Sequence, residues 1–162
     1  MPRSRITFLA MALFCLGLIL VALYMQEVMA LYPCYLCLVQ RCFVVATGVI
    51  ALAAFVHNPG RKGTRVYGAV AAISALAGAG FAIRQLWLQS LPEDRVPACG
   101  PPADYLIDSF PLMEALPMLL RGDGNCAEVQ WSLLGLSIPG WTLIAFAVLA
   151  GLALWQVFRT FR

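Results

Sequence analysis

Four cysteines and one arginine carry the chemistry this sequence offers. Cys34 and Cys37 form a C-x-x-C within LYPCYLCLVQRC, Arg41 follows four residues after the second, and Cys99 and Cys126 stand far downstream. Four thiols can hold zinc, staple a loop or run a redox cycle. Zinc needs four converging ligands, and a C-x-x-C is a common half-site, but Cys99 and Cys126 lie 27 positions apart, unlike the second half of a zinc ribbon. No metal is expected. A Cys34–Cys37 bridge closes too few residues to restrain the unfolded chain, so it makes a poor staple, whereas a Cys99–Cys126 bridge closes a loop worth about 2 to 4 kcal/mol. The short spacing instead suits a disulfide that opens and closes, the second thiol being held ready to expel whatever attaches to the first.

The local sequence favours reactivity. Pro33 can set the start of a helix, leaving Cys37 in its first turn, where unpaired N–H groups and the helix dipole favour a thiolate. Arg41 stands one turn further on the same face. Its charge can stabilise that thiolate and hydrogen-bond a carbonyl oxygen of a bound ligand, although an arginine so close to a bilayer can also simply snorkel to the interface.

The elements that must position these residues are membrane helices. The chain of 162 residues is 62% hydrophobic and 12% charged, with a mean hydropathy of +0.83, outside the range of soluble domains. Gaps between charges locate four spans, at about 6–26, 38–56, 66–83 and 139–158. The first gap holds 21 residues, roughly 31 Å as helix, the thickness of a bilayer's hydrocarbon. It exceeds the apolar core of a cleaved signal, and Tyr32 and Pro33 occupy places where a lipoprotein site at Cys34 would need small residues. The third span is rich in Ala and Gly, which suits close helix approach, and Trp141 and Trp155 mark the two ends of the fourth. The expected fold is all-α: one domain, a four-helix transmembrane bundle.

Seven of the eleven basic residues (Arg3, Arg5, Arg61, Lys62, Arg65, Arg159 and Arg162) flank one face, which the positive-inside rule makes cytoplasmic, with both termini. All eight carboxylates, Asp104 among them, fall in the two segments of the opposite side, about 27–37 and 84–138. Those outer loops hold Cys34, Cys37, Cys99 and Cys126. The inner loop, about 57–65, reads as a connector, and His57, the one histidine, as a polar residue at a helix end. Cys15 and Cys42 fall inside spans one and two, where a lone buried thiol behaves as a small apolar residue. In the long outer loop, DYLIDSFPLMEALPMLL has helical spacing of its apolar residues, predicting a short amphipathic surface helix interrupted by Pro111 and Pro117. A loop this long is usually functional.

Electrons released when a thiol pair reoxidises need an acceptor. The chain has no haem, flavin, nicotinamide or iron–sulfur fingerprint, and nothing in it calls for a nucleic acid. A lipid-soluble acceptor remains, and a thiol pair at a helix end sits where a quinone head group would lie.

These residues together resemble the DsbB family of quinone-linked disulfide oxidases. The resemblance rests on C34-Y-L-C37 with Arg41, the outer Cys99 and Cys126, four spans, and the tail GDGNCAEVQWSLLGLSIPGW; N-C-A-E-x-Q-W ahead of the fourth span is its most specific part. It implies a relay in the bacterial inner membrane. Reduced DsbA, a soluble periplasmic thiol oxidase, would attack the Cys99/Cys126 disulfide at Cys99, and Cys126 would then attack Cys34. Cys37 would leave as a thiolate beside Arg41 and pass electrons to ubiquinone, or to menaquinone under anaerobic conditions. A neutral docking segment for DsbA is expected around 96–100. Two positions depart from the family pattern: Gln40 stands where a glutamate is expected and Gln85 where a histidine is, which leaves the proton route open. Two competing readings are a relative of the four-helix vitamin K epoxide reductases, whose C-x-x-C usually comes late in the chain, and a non-catalytic membrane subunit with two static disulfides.

Overall fold

A computed structural model describes residues 2–159; Arg162 lies outside them, as do the side chains of Arg3 and Asp104. The described residues form six α-helices: α1 Pro2–Glu27, α2 Tyr35–His57, α3 Arg61–Gln89, α4 Ala103–Ser109, α5 Leu112–Arg121 and α6 Ile138–Arg159. Four of them, α1, α2, α3 and α6, are long and apolar enough to cross a membrane, which makes this the all-α four-helix bundle the charge gaps imply. Large apolar side chains such as Leu13, Leu20, Ile73 and Val148 stay exposed along these helices, a surface that only lipid can solvate.

The long helices alternate in direction. Arg5, early in α1, lies over the ring of Phe55, late in α2; Gly68, early in α3, lies against Ala153 and Gln156, late in α6. Both helix starts and both helix ends therefore meet at the end of the bundle where α2 turns into α3. That turn is tight: Asn58 caps α2 in the left-handed region with φ 45°, and α3 begins at Arg61, so the basic residues Arg61, Lys62 and Arg65 stand in the first turns of a helix. His57 ends α2 and meets the Tyr67 hydroxyl at 3.0 Å.

Lipid supplies no hydrophobic drive between helices, so packing must, and small residues allow it. Ala71, Ala72, Ala75 and Ala82 of α3 are buried. A Cβ at Gly78 would collide with the ring of Phe146 on α6. Thr47 Oγ1 bonds the Phe43 carbonyl at 2.8 Å and Ser74 Oγ at 2.9 Å, linking α2 to α3. In this way α3 packs along α2 and α6, and α1 packs along α2 but barely meets α6. The bundle is open between α1 and α6, and the gap becomes a cavity.

Three features of the sequence reading change. Cys42 is not buried: it lies exposed on the outer side of α2, because the buried stripe of that helix runs through Leu36, Gln40, Val44, Thr47 and Ala51. Cys15 is buried at 2%, against Gly48. The outer amphipathic segment is two helices, α4 and α5, broken at Phe110–Pro111; Pro117 lies inside α5 and does not end it. Pro111 breaks the chain because its carbonyl starts α5, accepting from Glu114 at 2.8 Å and Ala115 at 3.0 Å. Among the described residues of this pair, Leu106 and Ala115 are buried, against Leu36 and Leu88, while Tyr105, Met113, Leu116 and Met118 are exposed. Last, a short ribbon precedes α6, β1 Ser132–Leu133 paired with β2 Leu136–Ser137, turning on Leu134 and Gly135, both with positive φ.

Candidate active site

The C-x-x-C sits at the mouth of α2. Cys34 is its N-cap in extended geometry (φ −72°, ψ 172°) and has no side-chain capping bond. Cys37 is therefore the third helical residue, and the Leu38 N–H is the first to return to the Cys34 carbonyl, at 3.1 Å. The first N–H groups of this turn have no intrahelical partner, and that of Leu36 serves Cys126. The two Sγ atoms stand 2.8 Å apart. Cys34 is buried and Cys37 half-buried.

Arg41 faces the same way as Cys37. Its Nη1 donates to Gln26 Oε1 at 2.7 Å and its Nη2 to the Ala22 carbonyl at 3.1 Å, both on α1. The guanidinium thus bridges α1 and α2 and keeps other N–H donors free. Cys37, Gln40 and Arg41 share one wall of the cavity between α1 and α6, about 490 Å³ in volume, whose other walls are almost wholly apolar and include Leu18, Trp141 and Ala145. Size and lining suit a small planar molecule with an apolar tail. A quinone fits these residues: Arg41 can hold a carbonyl oxygen, and Cys37 lies on the same wall.

The outer pair is brought to the inner one by the turn Gly124–Cys126. Cys126 is fully buried, in one cluster with Cys34, Tyr35 and Leu36. Its nearness to Cys34, followed by that of Cys37 and by burial, raises the Cys34 thiol above its ordinary pKa. The same nearness is the first cause holding Cys126 below the ordinary value. Negative charge is therefore favoured on Cys126, as an attacking sulfur requires.

Cys99 is exposed, yet its segment lies on the Cys126 turn. Gly124 N–H bonds the Ala98 carbonyl at 3.2 Å, and a Cβ at Gly124 would stand 3.0 Å from Cys99 Sγ and nearer still to the Pro97 carbonyl oxygen. Only glycine permits that approach. Two residues to which the sequence reading gave no role hold the segment. Asp123, buried at 5%, accepts from Gly100 N–H at 2.9 Å and from Asn125 at 2.5 Å through Oδ2, and from the Cys126 thiol at 3.4 Å through Oδ1. The Tyr35 hydroxyl donates to the Pro101 carbonyl. The D-x-x-C spacing was the available signal for Asp123, since three residues make one turn of the helix that Cys126 ends. Arg84 fixes the far side of this loop, giving bonds at 3.0 and 2.8 Å to the last carbonyl of α5, that of Arg121.

The two positions that depart from the family pattern also lie here. Gln85 Nε2 donates to Cys34 Sγ at 3.2 Å and to Cys37 Sγ at 3.3 Å, and Gln40 Nε2 donates to Gln85 Oε1 at 2.7 Å. A thiol pair at a helix mouth, a second pair in contact with it and an apolar cavity beside it define a membrane thiol–disulfide exchange protein. The DsbB family model, disulfide bond formation protein DsbB, matches residues 4–156. Proteins named disulfide bond formation protein B are similar throughout: that of Saccharophagus degradans is 54% identical over 98% of this chain and 96% of its own length. Those of Stutzerimonas stutzeri, 48% identical over 98% and 96%, and Hahella chejuensis, 55% identical over 86% and 82%, agree. The chain belongs to the DsbB family, and as such is a disulfide oxidoreductase of the bacterial inner membrane, working with DsbA and a membrane quinone.

Proposed function

We propose that the two cysteine pairs act in series, taking electrons from a DsbA-like protein in the periplasm and delivering them to ubiquinone in the cavity beside Arg41. The observation that carries this reading is the burial of Cys126 in one cluster with Cys34. The partner's thiolate attacks Cys99; a partner–Cys99 bond forms, the Cys99–Cys126 bond breaks, and Cys126 leaves as thiolate. Cys126 then attacks Cys34, and the Cys34–Cys37 bond breaks with Cys37 as the leaving thiolate. The partner's second thiol expels Cys99, which returns to Cys126 and leaves Cys34 and Cys37 reduced. A bound quinone supplies the sink for two electrons and two protons.

The other residues prepare these steps. Burial keeps water from Cys126 and Cys34, while exposure of Cys99 admits a protein thiol. Residues 96–100, half-buried or exposed, offer the docking segment. Arg41 holds the ligand's carbonyl oxygen and neutralises charge on Cys37. The outer loops face the periplasm and both termini the cytoplasm in this arrangement, with menaquinone serving under anaerobic conditions.

The test uses purified full-length protein in lipid nanodiscs with reduced DsbA. DsbA oxidation and quinone loss should proceed one to one with a ubiquinone analogue, and more slowly with a menaquinone analogue in air. No turnover with either quinone overturns the reading. The Cys126→Ser protein, mixed with periplasmic extract, should hold its partner as a mixed disulfide on Cys99, which identifies the DsbA paralogue.

A further inference from the structure

The thiol pair is touched by an amide that comes from another helix. Gln85, on α3, is buried at 3%, with Nε2 within 3.3 Å of both sulfurs and Oε1 at 3.6 Å from Cys37 Sγ. An amide has a donor end and an acceptor end, so which end faces the sulfurs decides what it favours. Gln40, three residues after Cys37 and itself buried at 3%, serves the other end: its Nε2 donates to Gln85 Oε1 at 2.7 Å, occupying the oxygen with the NH2 toward the cysteines.

We propose that Gln85 is a further catalytic residue, which stabilises the reduced Cys34/Cys37 pair by donating to its sulfurs, and that Gln40 is the positioning residue that fixes the direction of donation. A thiolate accepts such bonds strongly, and a disulfide sulfur accepts them weakly. The bonds therefore strengthen when the pair is reduced and fade when it closes. A pair whose reduced form is stabilised is a stronger oxidant, the logic that makes DsbA itself strongly oxidising. The argument rests on the proposed relay for its purpose: an inner pair that must draw electrons from so oxidising a donor needs its reduced form stabilised.

The amide does this without a charge of its own. A carboxylate at Gln85 would repel a Cys37 thiolate, and an imidazole would donate only in the tautomer or protonation state that faces the sulfurs. The titratable groups around the amide are Cys34 and Cys37 on α2, with Arg41 on α2 and Glu128 of the outer loop at the edges of the two adjoining cavities. Neither glutamine titrates, so the pH dependence of the preference for the reduced pair comes from the thiols and not from the amides.

The test measures the equilibrium of this pair alone. Full-length protein carrying Cys99→Ala and Cys126→Ala is equilibrated in nanodiscs with dithiothreitol buffers, and the reduced fraction of Cys34/Cys37 is read by alkylation and mass shift. Gln85→Met should move the equilibrium toward the disulfide by about tenfold, which is about 30 mV. Gln85→Glu, nearest in shape, should move it the same way, and further as pH rises through the ionisation of the new carboxylate. Gln40→Met should give a smaller shift in the same direction. An unchanged equilibrium in Gln85→Met and Gln85→Glu, or a shift toward the dithiol, overturns the proposal. No DsbA or quinone enters this measurement, so its outcome is separate from that of the relay assay.

Discussion

The two cysteine pairs are held in opposite ways. Cys34 and Cys37 sit three residues apart on one rigid helix mouth, with the buried Gln85 amide of α3 against them and Gln40 of α2 behind it. Cys99 and Cys126 come from separate stretches of loop, one exposed and one fully buried, joined by the Asp123 carboxylate and by the close approach at Gly124. The inner pair is preorganised for a small ligand in lipid; the outer pair must open for a protein and close again. Rigidity at one end and a hydrogen-bonded latch at the other let the same exchange chemistry serve two very different partners.

Substitutions can separate these roles. Cys37→Ser and Cys99→Ser should each abolish steady-state turnover, but at opposite ends: Cys37→Ser still forms the mixed disulfide with DsbA, whereas Cys99→Ser does not. Non-reducing gels resolve the two. Arg41→His should raise the KM for quinone by about tenfold, the worth of a charge-assisted hydrogen bond of about 1.5 kcal/mol, and leave the rate of DsbA attack on Cys99 unchanged; an unaltered KM would remove Arg41 from the quinone site.

Asp123→Ala should act only on the outer pair. It strands the Gly100 N–H and the Asn125 amide, a cost of about 1–3 kcal/mol, and should speed alkylation of Cys126 several-fold while leaving the Cys34/Cys37 equilibrium as it was. A pH profile sharpens the same contrast. Because nearby Cys34 holds the Cys126 thiol below its ordinary pKa, Cys126 should keep reacting with iodoacetamide to lower pH than an ordinary thiol, and Cys34→Ala should move that profile back up. Tyr35→Phe is expected to have the smallest effect: one hydrogen bond lost to Pro101, about 1 kcal/mol, seen as a few-fold faster proteolysis near 97–102.

Much of the inner region was legible in the sequence because its geometry is local. C-x-x-C and the arginine four residues later fall on one helical face by periodicity alone, and charge gaps locate four spans without reference to packing. The outer region depends on contacts between distant segments. Gln85 meets Cys37 from 48 positions away, and the Asp123 bond to Gly100 spans 23; no periodicity reports either. Cys42 was misplaced because a uniformly apolar helix does not reveal which side faces lipid. Pro111 and Pro117 look alike in sequence, but only Pro111 falls at a helix start, where its carbonyl serves the next turn and its missing N–H is not needed. The ribbon Ser132–Ser137 is two residues per strand, too short for an alternating pattern to announce it.

The central claim is that the pairs connect through Cys126 and Cys34. It is tested most directly in a protein carrying Cys37→Ser and Cys99→Ser, oxidised gently in nanodiscs, digested under non-reducing conditions and mapped by mass spectrometry. The account predicts a disulfide joining the Cys34 and Cys126 peptides. A folded protein in which both thiols remain free, or pair elsewhere, would contradict it.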